Sequence, residues 1–348
     1  MRIAQIAPVW VPVPPPGYGG IELVVSLLAD GLTERGHEVT LFAAQGSTSA
    51  ARIVTPVPDA GDLVDSGDDI TDEVVHALPA YQAGGDFDVI HDHSGLGTAL
   101  AAARTGCPVV HTLHGPWTES SRRFYAAVSP PVHLIAISHA QAAGNRDLEY
   151  DGVVHNGVDV DRFPWRKEKE DFLVFLGRCN PEKGPEVAVE VAKRAGLPLV
   201  MMMKRSEPME MEHWENEVAP RLTGDEEIRL NVGHDEKVEV LGRARATLMP
   251  MQWPEPFGLV MIESMACGTP VIATPRGAAP EIVVDGKTGF LRSEIDEMVE
   301  AVNQVDELSP ADCRDQVVDN FSADVMVSKT ERVLEKIVAE AGGEGQRD

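Results

Sequence analysis

Short apolar runs of strand length alternate with segments of helical periodicity along the chain, a pattern that restricts the fold to parallel sheets joined by crossover helices. Residues 3–7 read as a buried strand. After a Pro- and Gly-rich loop, Ile21, Val24, Val25, Leu28 and Leu32 recur at helical spacing up to Gly36, and 38–43 forms the next strand. Apolar runs at 88–91, 108–113 and 133–137 extend the same sheet. Residues 45–86 mix small, acidic and Pro residues and read as loop plus one short helix over 71–78.

The chain has 348 residues and 43% apolar content, more than one core of the usual ~250–300 residues organises, so two domains are expected. The turn pair Asn156-Gly157 and the charged RKEKED precede a new strand at 172–176, which sets the domains at 1–164 and 165–320. The second half repeats the alternation, with a helix over 185–195 and strands at 197–203, 246–251 and 270–273. An amphipathic helix over about 321–340 closes the chain, and GGEGQRD reads as a frayed tail.

Lysine and arginine total 30 against 56 acidic residues, a formal charge of −26, which argues against a nucleic-acid partner and leaves at most weak contact with an anionic membrane. An anionic ligand then needs a local basic pocket, so an Arg or Lys beside glycines is informative. Cys107, Cys179, Cys267 and Cys313 form no C-x-x-C pair, and no window approaches the ~18–20 apolar residues of a membrane span. A reducing cytoplasm, with no export signal, fits that usage. Oligomeric state leaves no mark in the sequence.

The segment WPEPFGLVMIESMACGTPVIAT, residues 253–274, holds Glu255 and Glu263 with seven residues between them. Pro254 and Pro256 keep the lead-in extended, Gly258 permits close backbone approach, and a helix-compatible apolar run ends at Gly268. Unpaired amides near Phe257, Gly258 and Leu259, at the positive end of a helix, suit a phosphate or sugar hydroxyls. At ~1.5 Å per helical residue the two carboxylates stand on the order of 10 Å apart, close enough for one nucleotide sugar to touch both.

Other candidate sites lie at strand ends. PPPGYGGIE places Gly17, Gly19 and Gly20 between a strand and a helix, but the position three after Gly19 is Glu22, so the dinucleotide fingerprint is missing. FLGRCNPEKG offers Arg178 and Lys183, a planar fork and a compact charge suited to diphosphate oxygens. His111 lies within a strand and reads as structural, while His114 stands at its C-terminal end. His91 and His93 lack a third ligand and read as hydrogen-bonded polar groups, not a metal pair. Asp159 and Asp161 form a D-x-D element.

With FG between its glutamates and GTPVIA after them, the 253–274 segment resembles the E-x7-E element of the retaining glycosyltransferases of family 4. The resemblance implies the GT-B fold: an α/β architecture of two Rossmann-like, doubly wound parallel-sheet domains facing across a cleft, with the last helix crossing back onto the first. It implies that a nucleotide diphosphate sugar is contacted by Gly19, Gly20, Arg178, Lys183, Glu255, Phe257, Gly258, Leu259, Val260 and Glu263. Glu263 would take the ribose hydroxyls, and Arg178 and Lys183 the diphosphate. His114 and Glu255 would position the transferred sugar, and Ser138 and His139 would lie on the acceptor side. The D-x-D element resembles the family's interdomain crossover and reads as a hinge, so neither a metal nor a cofactor is expected beyond the nucleotide-sugar co-substrate. UDP follows only from its commonness in the family. The acceptor would be a small molecule, a glycan or a lipid-linked molecule, attacked on the front face with the leaving phosphate taking its proton. A nucleotide-sugar epimerase or phosphorylase of the same fold, or a catalytically silent nucleotide-sugar-binding protein, are the alternatives.

Overall fold

The computed structural model describes residues 1–17, 19–57, 69–95 and 106–344. The chain forms two compact units, Met1–Gly157 together with the segment from Ala323 onward, and Val158–Ser322.

The first unit contains β1 (Arg2–Ile6), α1 (Gly20–Glu34), β2 (Glu38–Phe42), β3 (Arg52–Val54), α2 (Asp69–Gln82), β4 (Val89–Asp92), β5 (Val109–Leu113), α3 (Glu119–Val128), β6 (Val132–Ala136), α4 (His139–Gly144) and β7 (Gly152–Val153). Among the described residues these strands make one sheet of order β3-β2-β1-β4-β5-β6-β7 in which every pairing is parallel. The central strands are buried on both faces, as parallel strands covered by helices must be, and carry a few buried polar residues, Gln5, His91 and His111 among them. Ile6, Ile90, Leu113 and Leu134 fill the core beside Phe42 and Tyr81. Each buried aliphatic chain contributes roughly 1.5–3 kcal/mol.

The second unit contains β8 (Glu170–Arg178), α5 (Pro185–Ala195), β9 (Leu199–Lys204), α6 (Pro208–His213), β10 (Glu226–Leu230), α7 (His234–Arg243), β11 (Ala244–Met249), α8 (Leu259–Ala266), β12 (Val271–Ala273), α9 (Ala279–Ile282), β13 (Gly289–Leu291), α10 (Ile295–Gln304) and α11 (Pro310–Phe321). Its described strands run β10-β9-β8-β11-β12-β13, again all parallel. Both sheets are doubly wound. Strand order reverses between β1 and β4 in one and between β8 and β11 in the other, and open sheets of this kind receive ligands at the carboxyl ends of the strands beside the reversal.

The final helix, α12 (Ala323–Glu344), belongs to the first unit and lies against α1. A Cβ at Gly31 would come within 2.6 Å of Val327, so the glycine sets how closely the helices approach. Arg35 reaches Asp324 at 2.5 Å and Glu331 at 2.9 Å, and His37 Nε2 lies 2.7 Å from Glu331 Oε1.

The units divide at Gly157/Val158 and Ser322/Ala323, where the sequence reading set 164/165 and 320/321. The difference at the first boundary has a physical cause. Val158 N donates to Phe321 O, Arg314 Nη2 donates to Val160 O at 3.1 Å, and Trp165 Nε1 donates to Pro310 O, so residues 158–165 are tied to α11. Four short strands, β3, β7, β10 and β13, were not expected. β10 is an edge strand with no fully buried residue, and its sequence EEIRL carries no apolar run. The short helix expected over 71–78 is longer, α2, and α12 continues through Gly342 and Gly343, where a frayed tail was expected; residues 345–348 lie outside the described residues. No described helix is long and apolar enough to cross a membrane.

The Glu331 cluster makes the docking of α12 sensitive to acid. The His37 hydrogen bond, and after it the Arg35 pairing, hold the Glu331 carboxyl below its usual 4.5. A depressed carboxylate stabilises fully above its unfolded pKa, and that contribution is lost as pH falls through the folded value. Glu331→Gln is therefore expected to lower Tm at pH 7, and the gap to the unmodified protein should shrink steadily as thermal scans move below pH 4.5. A gap that is constant with pH would rule this out.

Candidate functional site

In the second unit the strand reversal leaves Arg178 at the end of β8 and the 250–258 loop at the end of β11. Two glycines bring the flanking segments into backbone contact. Gly184, left-handed at φ 69°, lies so close to the loop that a Cβ would stand 2.4 Å from Pro250 O, and Gln252 N donates to Glu182 O at 2.7 Å. Gly277, at φ 58°, lies under Glu255: a Cβ there would come within 2.1 Å of Glu255 O, while Ala278 N donates to that same oxygen at 2.9 Å. The backbone of Glu255 is thus fixed by a residue more than twenty positions away.

On that frame the Glu255 carboxylate, nearly buried, accepts from Lys183 Nζ and from Trp253 Nε1 at 3.0 Å. Lys183 Nζ also stands 5.0 Å from the Trp253 ring centroid, a cation–π contact, and the stem of Lys183 lies over Gly177, next to Arg178. Gly258, at φ 93°, caps α8 without a side chain, so the amides that open the helix have no side-chain acceptor. Glu263, buried one turn into α8, accepts from Lys237 Nζ at 2.5 Å. Both glutamates of the motif are therefore ionic partners of a lysine from another element. Removing either member of such a buried pair leaves an uncompensated charge.

Arg178 is held from α6. Its Nε donates to Glu210 Oε1 at 2.6 Å and its Nη2 to Glu207 Oε2 at 2.5 Å. Glu210 is fully buried and also accepts from the amides of Ser206 and Glu207, at 2.9 and 3.1 Å. Burial opposes its ionisation, but those two amides and the guanidinium outweigh it and keep the carboxyl below its ordinary range. The Glu207 side chain is 45% exposed. The sequence suggested two cations free for an anion; instead each has a carboxylate partner, and nothing in the spacing of EPMEME announced a partner for a strand residue about thirty positions earlier.

In the first unit, Gly19 precedes α1 and Gly20 opens it, again with no side-chain cap. Beside the strand reversal, His91, His93, His111 and His114 cluster at the ends of β4 and β5. His91 Nε2 is 2.8 Å from Thr112 Oγ1, His111 Nε2 is 2.9 Å from the Tyr125 hydroxyl, and His93 Nδ1 is 2.8 Å from His114 Nε2. Burial, reinforced by neighbouring imidazoles, pushes His91 and His114 down to about 3 and lowers His93 strongly; burial also lowers His111. All four are neutral at physiological pH. Among the described residues no three His, Cys, Asp or Glu side chains converge as a metal-ligand set. Ser138 caps α4 by accepting from Gln141 N at 3.0 Å, and His139, the first residue of α4, meets His155 edge-on at 5.8 Å. Asp159 caps the turn Val160–Arg162 through the amide of Asp161.

Two family models match the chain in tandem, one described as Glycosyltransferase Family 4 over residues 18–162 and one as Glycosyl transferases group 1 over residues 158–317. The chain belongs to glycosyltransferase family 4. Its fold is GT-B, built from two Rossmann-like parallel-sheet domains. The glycosyltransferase is 27% identical to a D-inositol 3-phosphate glycosyltransferase of Mycolicibacterium smegmatis, across 89% of this chain and 84% of that one. A protein of the same name from Streptomyces scabiei is 28% identical, across 83% and 79%. Among solved structures, AviGT4, a glycosyltransferase involved in avilamycin A biosynthesis, superposes with a TM-score of 0.74 at 26% identity, covering 98% of this chain and 99% of that one. A sucrose-phosphate synthase from Thermosynechococcus elongatus shares the fold, with a TM-score of 0.80 at 20% identity and coverage of 98% and 100%.

Within the glycosyltransferase, the structure brings Lys183, Glu255 and Gly258 together and sets Glu263 on the same helix. The Phe257 ring is buried against Phe321, 6.0 Å between centroids. Trp253, Lys237, Glu210, Gly277 and His93 were not singled out as site residues. Trp253 at least stands in the motif, whereas the others come from separate elements at separations that no local pattern encodes.

The Gly277 cradle is testable by stability. Gly277→Ala should cost at least about 2 kcal/mol, from the left-handed backbone plus the collision with Glu255. Gly286→Ala, at φ 73° with open space around it, should cost only about 1 kcal/mol. Urea unfolding midpoints of the two variants compare them directly, and equal losses would refute the cradle.

Proposed function

We propose that the protein is a retaining glycosyltransferase that moves a hexose from a nucleotide diphosphate sugar, UDP-linked, to an acceptor hydroxyl, without a metal. The observation that carries the reading is the convergence of Lys183, Trp253 and Glu255 on the uncapped start of α8, with Glu263 held by Lys237 within the same helix. This arrangement sets positive charge and free amides where a diphosphate leaves, and carboxylates to either side where a sugar and a ribose offer hydroxyls. The names of the relatives at 27–28% identity, D-inositol 3-phosphate glycosyltransferases, support glycosyl transfer to a phosphorylated polyol acceptor.

Each residue then has a defined task. The diphosphate would displace exposed Glu207 from Arg178 while buried Glu210 keeps the guanidinium oriented, and Lys183 would take a second phosphate oxygen. Negative charge on the leaving diphosphate grows in the transition state, so these cations act most strongly there and replace the metal that other transferases use. Glu255 would accept from hydroxyls of the transferred sugar, and Glu263 from the ribose. His114, neutral, would contact the sugar through a hydrogen bond and not by acid catalysis. Gly19 and Gly20 would contact the nucleotide sugar, and Ser138 and His139 would face the acceptor. With no side-chain nucleophile assigned, front-face attack would retain the anomeric configuration, the departing phosphate accepting the acceptor proton.

Incubation with a panel of UDP-hexoses and polyol acceptors, followed by NMR of the product, should reveal a glycoside with the donor's anomeric configuration, formed equally well in EDTA. Arg178→Ala should lower kcat by roughly 10²-fold with donor KM changed only a few-fold. Glu263→Ala should instead weaken UDP binding by roughly tenfold, read by calorimetry. Inverted product, loss of activity in EDTA, or full activity in both variants would overturn the proposal.

A further inference from the structure

Which ring nitrogen of His114 carries the proton decides whether the side chain gives or takes a hydrogen bond at a substrate. Its Nε2 faces inward, 2.8 Å from His93 Nδ1. The other nitrogen of His93, Nε2, lies 3.4 Å from the side-chain Nε2 of Gln5 on the adjacent strand β1, deep in the first unit. An amide nitrogen has only protons to give, so His93 Nε2 must accept. Each neutral imidazole has one proton. That of His93 must then sit on Nδ1 and point to His114 Nε2, which leaves the proton of His114 on Nδ1. Among the described residues His114 makes no other hydrogen bond, and it is partly exposed.

We propose that Gln5 and His93 act as positioning residues that fix His114 as its Nδ1–H tautomer, so that the ring presents a donor to an oxygen of the bound sugar. The proposal rests on the part given to His114 in glycosyl transfer. Turning the Gln5 amide end for end would reverse both bonds and make His114 an acceptor. The orientation present leaves Gln5 Oε1 buried without a partner. The reverse would strand a buried N–H group, and a bare carbonyl is the less costly of the two.

Two-bond 1H–15N spectra of the protein labelled at histidine, assigned with single His→Gln variants at pH 7, read the tautomers directly. His93 and His114 should both be Nδ1–H. In Gln5→Glu the carboxylate can only accept, so both rings should switch to Nε2–H, and kcat should fall about tenfold with UDP affinity unchanged within twofold. Should that variant not fold, Gln5→Met removes the donor while keeping the size, and a mixture of tautomers is expected. Nε2–H rings in the unmodified protein, or tautomers unmoved in either variant, would overturn the relay. Reversed tautomers with kcat unchanged would uphold the relay and overturn the role of His114 in transfer.

Discussion

The backbone of Glu255 resting on Gly277 is the constraint on which the candidate site depends. A carboxylate can serve as a fixed partner for a lysine and a ligand only if its main chain cannot drift, and here the fixing contact is a carbonyl pressed onto a residue that lacks a Cβ. Gly184 against Pro250 secures the other side of the same loop. Both contacts occur beside the β8/β11 reversal, where the sheet leaves its strand ends uncovered by crossover connections. The sheet topology thus selects the place, and two glycines give it rigidity.

Charge on this frame is arranged against the background of a strongly acidic chain. Lys183, Lys237 and Arg178 are each paired with a glutamate, so the region is close to neutral without ligand, and in the proposed function an anion would bind by displacing exposed Glu207 from Arg178. Buried Glu210 cannot be displaced in that way, since its hydrogen bonds to two amides hold it independently of Arg178. One guanidinium therefore has a permanent partner and an exchangeable one. A similar division holds in the first unit, where buried imidazoles are kept neutral by the absence of water, and their hydrogen bonds, not their charge, carry information.

Much of this was legible in the sequence. Apolar runs such as those around Ile3 and Ile90 could only be buried parallel strands, and the proline-flanked Glu255 before an apolar helix predicted an uncapped helix start. The edge strand β10 was not visible, because a half-exposed strand with the sequence EEIRL has no hydrophobic requirement to display. Nor were the partners of the site residues. Glu210 to Arg178, Lys237 to Glu263 and Gly277 to Glu255 are contacts between elements, and local spacing encodes only neighbours on one element. Residues 158–164 were placed in the first unit for the same reason, since Arg314, which holds Val160, lies about 150 positions later in the chain.

In the proposed function the basic residues and the α8 start form one seat for a diphosphate. A crystal structure of the protein with UDP tests it most directly. Phosphate oxygens are expected on Lys183 and on the first amides of α8, the ribose on Glu263, and Arg178 released from Glu207 but still held by Glu210. A nucleotide bound elsewhere, with Lys183 still on Glu255 and the α8 amides unengaged, would contradict it.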